Sequence, residues 1–264
     1  MSLTREEIQN ALKKKRWPRS ANYDGLWTLE NNMGPNALWL MEWLTEAMEL
    51  RPGMRVLDMG CGRALTSIFL AKEFGVNVYA TDLWISATDN WKRICEAGVQ
   101  DLVVPIHAEA HALPYASDFF DAIVSVDAYQ YFGTDACFLP GFLPLVKRGG
   151  PIGVVVPGLV QDFENGILPD YFTTPQPSGR PWWVPECWSF KTVDWWRDHW
   201  NQTGLVEITT ADLLPDGWRD WVEFDRLANE TGNACLPEAG PEWKVVEADA
   251  GRYLGFVRLA ATRR

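Results

Sequence analysis

The spacing of apolar positions changes several times along this chain, and each change marks an element. Thr4 followed by Glu7 is a capping-box pattern, which predicts a helix from about residue 5 to Trp17-Pro18. Residues 20–34, rich in Asn, Gly and aromatics, read as loop. Pro35 suits a first helical turn, and Leu40, Trp43, Leu44, Ala47 and Met48 form one apolar face, predicting a second helix over 36–50.

From Met54 onward, short apolar runs alternate with helical periods. Strands are predicted over 54–58, 76–81, 102–107, 121–126 and 152–156. Helices are predicted over 64–74, stopped by Gly75, and over 87–97, between Ser86 and Gly98. Pro140 and Pro144 break a third over 134–146. After Pro157 the rhythm stops: residues 158–190 carry Pro169, Pro175, Pro177, Pro181 and Pro185 and no clean period. A helix over 192–203 and strands over 205–211 and 253–261 complete the pattern. Between those two strands lies a second irregular stretch, 214–250, with one helical run near 218–229. This alternation predicts an α/β fold, a doubly wound sheet with helices on both faces. The expected organisation is an N-terminal helical segment, 1–53, covering the site, and a domain over 54–264 with insertions at about 158–190 and 214–250.

Composition removes several function classes. The net charge of -11, from 24 Lys+Arg and 35 Asp+Glu, opposes a broad nucleic-acid face. The one basic run, Lys13-Lys14-Lys15-Arg16, reads as a solvated helix end. The longest uncharged stretch, 149–161, is short of the roughly 20 residues of a membrane span, and residues 1–7 contain no secretory apolar run. Five scattered cysteines, with no CxxC and no zinc spacing, predict reduced thiols, a cytoplasmic setting and no metal. A monomer or homodimer is expected.

The chemistry centres on Val56-Leu57-Asp58-Met59-Gly60-Cys61-Gly62-Arg63-Ala64, a strand running through a glycine turn into a helix. A dinucleotide fingerprint needs a third glycine where Leu65 stands, and a P-loop needs a Lys that is missing here. Asp58 before the turn opposes a phosphate and favours a sulfonium or ammonium cation. Asp82, closing the second strand, can accept hydrogen bonds from both ribose hydroxyls. Glu109, after the third strand, can accept from an adenine amine. Each acid also has a plainer reading: Asp58 and Asp82 as caps, Glu109 as a solvated loop residue.

These residues resemble the class I S-adenosylmethionine-dependent methyltransferases. The first motif of that family falls on Asp58-Met59-Gly60-Cys61-Gly62-Arg63-Ala64, with Ala64 in place of the last glycine. The ribose acid falls on Asp82, and the adenine segment on Ala108-Glu109-Ala110 before Leu113-Pro114-Tyr115. The runs 119–125 and 146–150 are similar to the family's fourth strand and the turn before its fifth. The resemblance implies a Rossmann-like seven-stranded sheet with its last strand antiparallel. It implies S-adenosylmethionine as cofactor, held by Asp58, Gly60, Cys61, Gly62, Asp82, Leu83, Glu109, Ala110 and Asp127, with S-adenosylhomocysteine as product. The small-molecule branch, similar to ubiquinone/menaquinone-type C-methyltransferases, is the nearest, because Val126-Asp127-Ala128-Tyr129 replaces the Asn-Pro-Pro-Tyr type of tetrapeptide.

The acceptor is expected beyond the carboxyl ends of the strands, as a small organic molecule. Asp127, Tyr129 and Tyr131, after the fourth strand, are the catalytic candidates; His107 and His111 lie on the adenine side and His199 reads as structural. Nine of the fifteen tryptophans lie between 182 and 243 and predict a lid over that site. Glu186, Asp194, Asp198, Asp220 and Glu223 near them would suit an amine, although acids are common throughout. A non-catalytic S-adenosylmethionine-binding regulator remains a second reading. A nicotinamide-dependent oxidoreductase is a third, opposed by Leu65 and Asp58.

Overall fold

The computed structural model of the chain describes residues 3–176, 178–235 and 240–264; Pro177, one of the prolines named above, lies outside them. The Thr4–Glu7 capping box forms in full and starts helix α1 (Arg5–Leu12). It ends earlier than predicted, at a run of four cations, two of which meet partners elsewhere. Lys14 pairs with Asp220 at 3.5 Å and with Glu223, and Arg16 donates to the Pro215 carbonyl at 2.7 Å. The basic run thus stays largely exposed, as a solvated helix end would, but through Lys14 and Arg16 it also docks the N-terminal segment on the second insertion.

Helices α2 (Gly25–Glu30) and α3 (Ala37–Thr45) follow. Asn36, not Pro35, opens α3, accepting from the Leu38 and Trp39 amides. The strands are β1 (Arg55–Met59), β2 (Asn77–Asp82), β3 (Val103–His107), β4 (Ala122–Val126), β5 (Pro151–Leu159), β6 (Val206–Leu213) and β7 (Leu254–Arg263). Between them lie α4 (Leu65–Phe74), α5 (Ala87–Glu96), α6 (Phe138–Phe142), α7 (Asp170–Thr173), α8 (Val193–Asn201), α9 (Gly217–Glu230) and α10 (Trp243–Asp249). Among its described residues the second insertion thus holds two helices where the apolar period indicated one.

The sheet runs β3-β2-β1-β4-β5-β7-β6, with β7 antiparallel to both neighbours and the other pairs parallel. Side chains alternate between two cores. Val56, Val78 and Val124 face α3, α4 and α9, while Leu57, Ile123 and Ile152 face α6 and α8. Burial on both sides explains why these strands read as continuous apolar runs.

β5 continues through Pro157, where the sequence pattern placed its end. The Val155 carbonyl accepts from Asp127 on the β4 side, and alternation points position 157 to that same side. β4 has already stopped there at Val126, so the missing proline N–H breaks no ladder bond. The reversal of strand order between β1 and β4 opens the crevice in which α/β sheets bind ligands. No helix among the described residues is long and apolar enough to cross a membrane.

Candidate active site

The glycine turn sits at that crevice. Gly60 has φ +76°, and a Cβ there would collide with the Ala128 Cβ, so the turn presses directly on the loop after β4. Ala64 takes a left-handed φ of 62°, the conformation for which a glycine would be the easier residue. Asn90, buried on α5, donates to the Gly62 carbonyl at 2.9 Å and fastens the turn from the other side.

Asp82 closes the arrangement. One carboxylate oxygen accepts from the Gly62 amide at 2.8 Å, the other from Trp84 and Ile85 at 2.8 and 2.9 Å. It orders the glycine turn and still lines the cavity in front of it. Cys61, Leu83, Glu109, Ala110 and Asp127 line the same cavity, as do Gly60 and Gly62. Glu109 is held by His111, through its amide at 3.0 Å and its Nδ1 at 2.6 Å, and these bonds keep its carboxyl below the usual range.

Asp58 is placed differently from the expectation. It is 0% exposed and does not line the cavity. Its Oδ2 accepts from Thr66 and Ser67, both at 2.6 Å, in the first turn of α4, and Oδ1 has no partner. Burial raises its pKa to about 6 against the pull of those hydroxyls. The carboxylate therefore acts on the turn from behind instead of pointing through it at a ligand. The alternation of β1 turns it to the α4 side, which the glycine spacing alone does not reveal.

The three catalytic candidates separate. Tyr129 is fully buried in the core under α6 and α8, with Trp196 and Trp200 at 5.6 and 5.8 Å; it lines neither cavity and is not a site residue. The 3-10 turn over Tyr129–Tyr131 sends Tyr131 the opposite way. Tyr131 is 52% exposed and meets Trp84, 70% exposed, at 5.9 Å across the mouth of the cavity. Asp127 stands on the wall with φ +53°, its Oδ1 accepting from Gln130 at 3.2 Å. Gly34 packs so closely on its Oδ2 that a Cβ there would overlap it. Burial, reinforced by nearby Glu242, raises the Asp127 pKa to about 8.

A second cavity adjoins the first and shares Met33, Gly34, Pro35, Asp127 and Tyr131 with it. Its far wall is Gln130, Trp221, Asp225 and Glu242. Of the nine clustered tryptophans, Trp221 alone lines either cavity; Trp196 and Trp200 lie under the opposite face of the sheet. Glu186, Asp194, Asp198, Asp220 and Glu223 line neither of these two cavities. Sequence reasoning missed Met33, Pro35, Gln130, Asp225 and Glu242. The Asn-Met-Gly-Pro turn at 32–35 was a possible signal; Asp225 and Glu242 had none, since only the fold of the second insertion brings them in. His199 stacks on Trp195 at 4.5 Å and pairs through Nε2 with the Gly133 carbonyl, a structural role as expected.

The first cavity, about 1080 Å³ with its mouth included, carries Asp82, Glu109 and Asp127 against a single cation, Arg63, which donates to the Glu30 carbonyl. Apolar Leu83, Leu113 and Phe132 supply surfaces for a flat ring. That donor set fits S-adenosylmethionine, a nucleoside with two cationic centres, and would repel a pyrophosphate.

A family profile described as a methyltransferase domain matches residues 56–150. The chain is 32% identical over 180 residues to the 2-methyl-6-phytyl-1,4-hydroquinone methyltransferase of Synechocystis sp., covering 66% of this chain and 54% of that protein. It is 25% identical over 225 residues to methyltransferase GfsG of Streptomyces halstedii, covering 84% and 71%. The chain thus spans about half the length of the first relative. Its fold is similar to that of the geranyl diphosphate C-methyltransferase of Streptomyces coelicolor in complex with Mg2+, geranyl diphosphate and S-adenosyl-L-homocysteine. The TM-score is 0.64 at 17% identity, over 85% of this chain and 78% of that one. The glycine turn, the acid closing β2 and the antiparallel last strand are thus all in place around a stretch, residues 56–150, that matches a methyltransferase domain.

Proposed function

We propose that the protein transfers a methyl group from S-adenosylmethionine to a small organic acceptor. The observation that carries this reading is the first cavity: a glycine turn pinned by Asp82 in a pocket with three acids and one cation. S-adenosylmethionine, when bound, supplies a methyl group already activated on a sulfonium.

The chain's own residues bind, orient and exclude water. Asp82, its backbone bonds made, keeps carboxylate lone pairs for ribose hydroxyls, and Glu109 and Ala110 lie where an adenine edge would be read. Cys61 and Leu83 supply packing surface, and Asp58 stiffens the turn from behind. Trp84 and Tyr131 at the mouth shield the bound pair, so most of the rate gain comes from proximity and alignment. The adjoining second cavity supports a two-chamber arrangement, with donor and acceptor meeting at Asp127. The five free cysteines support a reducing, cytoplasm-type setting.

The test is transfer of labelled methyl in a metabolite extract separated by size. Label should appear in the small-molecule fraction. Label found only in protein or RNA would contradict the reading.

A further inference from the structure

The second cavity has a wall chemistry of its own. Asp127, Asp225 and Glu242 line it, and neither Lys nor Arg does. None of the three carboxylates takes part in an ion pair among the described residues. Each has only neutral donors: Gln130 for Asp127, the Trp243 amide at 2.8 Å for Asp225, and the Trp221 ring N–H at 3.2 Å for Glu242.

An independent observation points to a ligand. Gln130 is 1% exposed and lines this cavity, yet its Oε1 has no hydrogen-bond partner. A buried amide oxygen left unpaired costs about 1–3 kcal/mol, so such groups normally have a partner. The three carboxylates and this amide oxygen are acceptors, and a primary ammonium is three donors with no acceptor. Among the described residues no His/Cys/Asp/Glu group gathers closely enough to hold a metal ion, which favours an organic cation over a divalent one.

We propose that this second cavity is the acceptor chamber and takes a primary or secondary organic ammonium, its two or three N–H donors shared among Asp127, Asp225, Glu242 and the Gln130 carbonyl. The inference rests on reading the first cavity as the donor site. Tyr131, Trp221 and Phe190 add aromatic walls for an apolar body or for cation–π contact. Asp127 faces both chambers, so its carboxylate is placed to receive a proton from the ammonium, leaving the nitrogen neutral. The same acids would repel a diphosphate.

Burial raises Glu242 to about 7, with Asp225 adding to it, and Asp127 to about 8, so in an empty site near neutrality Asp127 is mostly protonated and Glu242 about half so. The other titratable groups around them are Asp225 on α9, Tyr131 on the 3-10 turn, Cys187 and Cys235, with Arg63 as the nearby cation. An entering ammonium displaces those protons.

The test is calorimetry on the protein loaded with S-adenosylhomocysteine, using phenethylamine, 2-phenylethanol and 3-phenylpropionate as probes of similar size. Phenethylamine should bind roughly tenfold or more tighter than the other two, the scale of one charge-assisted hydrogen bond. Glu242→Gln and Asp225→Asn, checked for unchanged melting, should lose that preference while keeping the alcohol's affinity. In the unaltered protein the amine's affinity should fall between about pH 8 and about pH 6, where Asp127 and Glu242 regain protons, and the alcohol's should not. Equal affinity for the alcohol or the carboxylate, no binding of the amine, or an undiminished preference in both variants would overturn the proposal. Failure of S-adenosylhomocysteine to bind would count against the donor site instead, and the amine preference is then read on the ligand-free protein, where it must still be present.

Discussion

Position 127 joins several constraints in one residue. Its backbone is left-handed, Gly34 leaves room for its carboxylate only by lacking a Cβ, and its proton is held by burial. Folded, it titrates at about 8; unfolded, it returns to the ordinary aspartate value. Its contribution to stability is therefore full below the unfolded value and lost as pH rises through about 8. Asp127→Asn removes that loss, keeps the acceptor for Gln130 and suits a left-handed backbone. In the ligand-free protein it should raise stability on the order of 2 kcal/mol near pH 8, and much less near pH 5. Thermal melts at the two pH values check this; a variant less stable at the higher pH would contradict it. Asp127 was legible as the residue after β4. That Tyr129 turns into the core while Tyr131 turns to the cavity was not, because a 3-10 turn of three residues leaves no period to read. Asp58 was legible as an acid at the turn, but the side it faces depends on the helix that supplies Thr66 and Ser67.

Among the elements, the alternating strands and helices between 54 and 156 were readable because each has its own period and its own stop: Gly75 after α4, Ser86 before α5. In the two insertions only the run near 218–229 was, as α9. Their residues pack by aromatic contact, as Phe163, Phe172 and Trp183 do within 6 Å of one another, and such clusters have no sequence period. The tryptophan density was read as one lid, but it divides between the two faces of the sheet. α9 and α10 carry the acceptor wall, with Trp221 and Asp225 on the first and Glu242 opening the second. Their amides should exchange hydrogen more slowly when S-adenosylhomocysteine and an amine are both present, while α8, under the other face, stays unchanged. Exchange in α9 and α10 that ignores both ligands would mark the insertion as a static cap.

Over the whole molecule, a chain with net charge -11 uses its one basic run as a fastener, drawing the N-terminal segment onto α9 and so bringing Met33, Gly34 and Pro35 over the crevice. Apart from the N-terminal segment around Met33–Pro35, the walls of the first cavity lie within the stretch that matches the methyltransferase-domain profile, where the glycine turn was visible in the sequence. The acceptor half is assembled from residues far apart in the chain, and charge totals do not disclose a local acidic wall. The account stands on the first cavity, and binding tests it most directly. Calorimetry with S-adenosylhomocysteine should show a one-to-one complex at micromolar affinity or tighter, roughly -8 kcal/mol or stronger, and no heat with NAD under the same conditions. Binding of NAD with none of S-adenosylhomocysteine would contradict it.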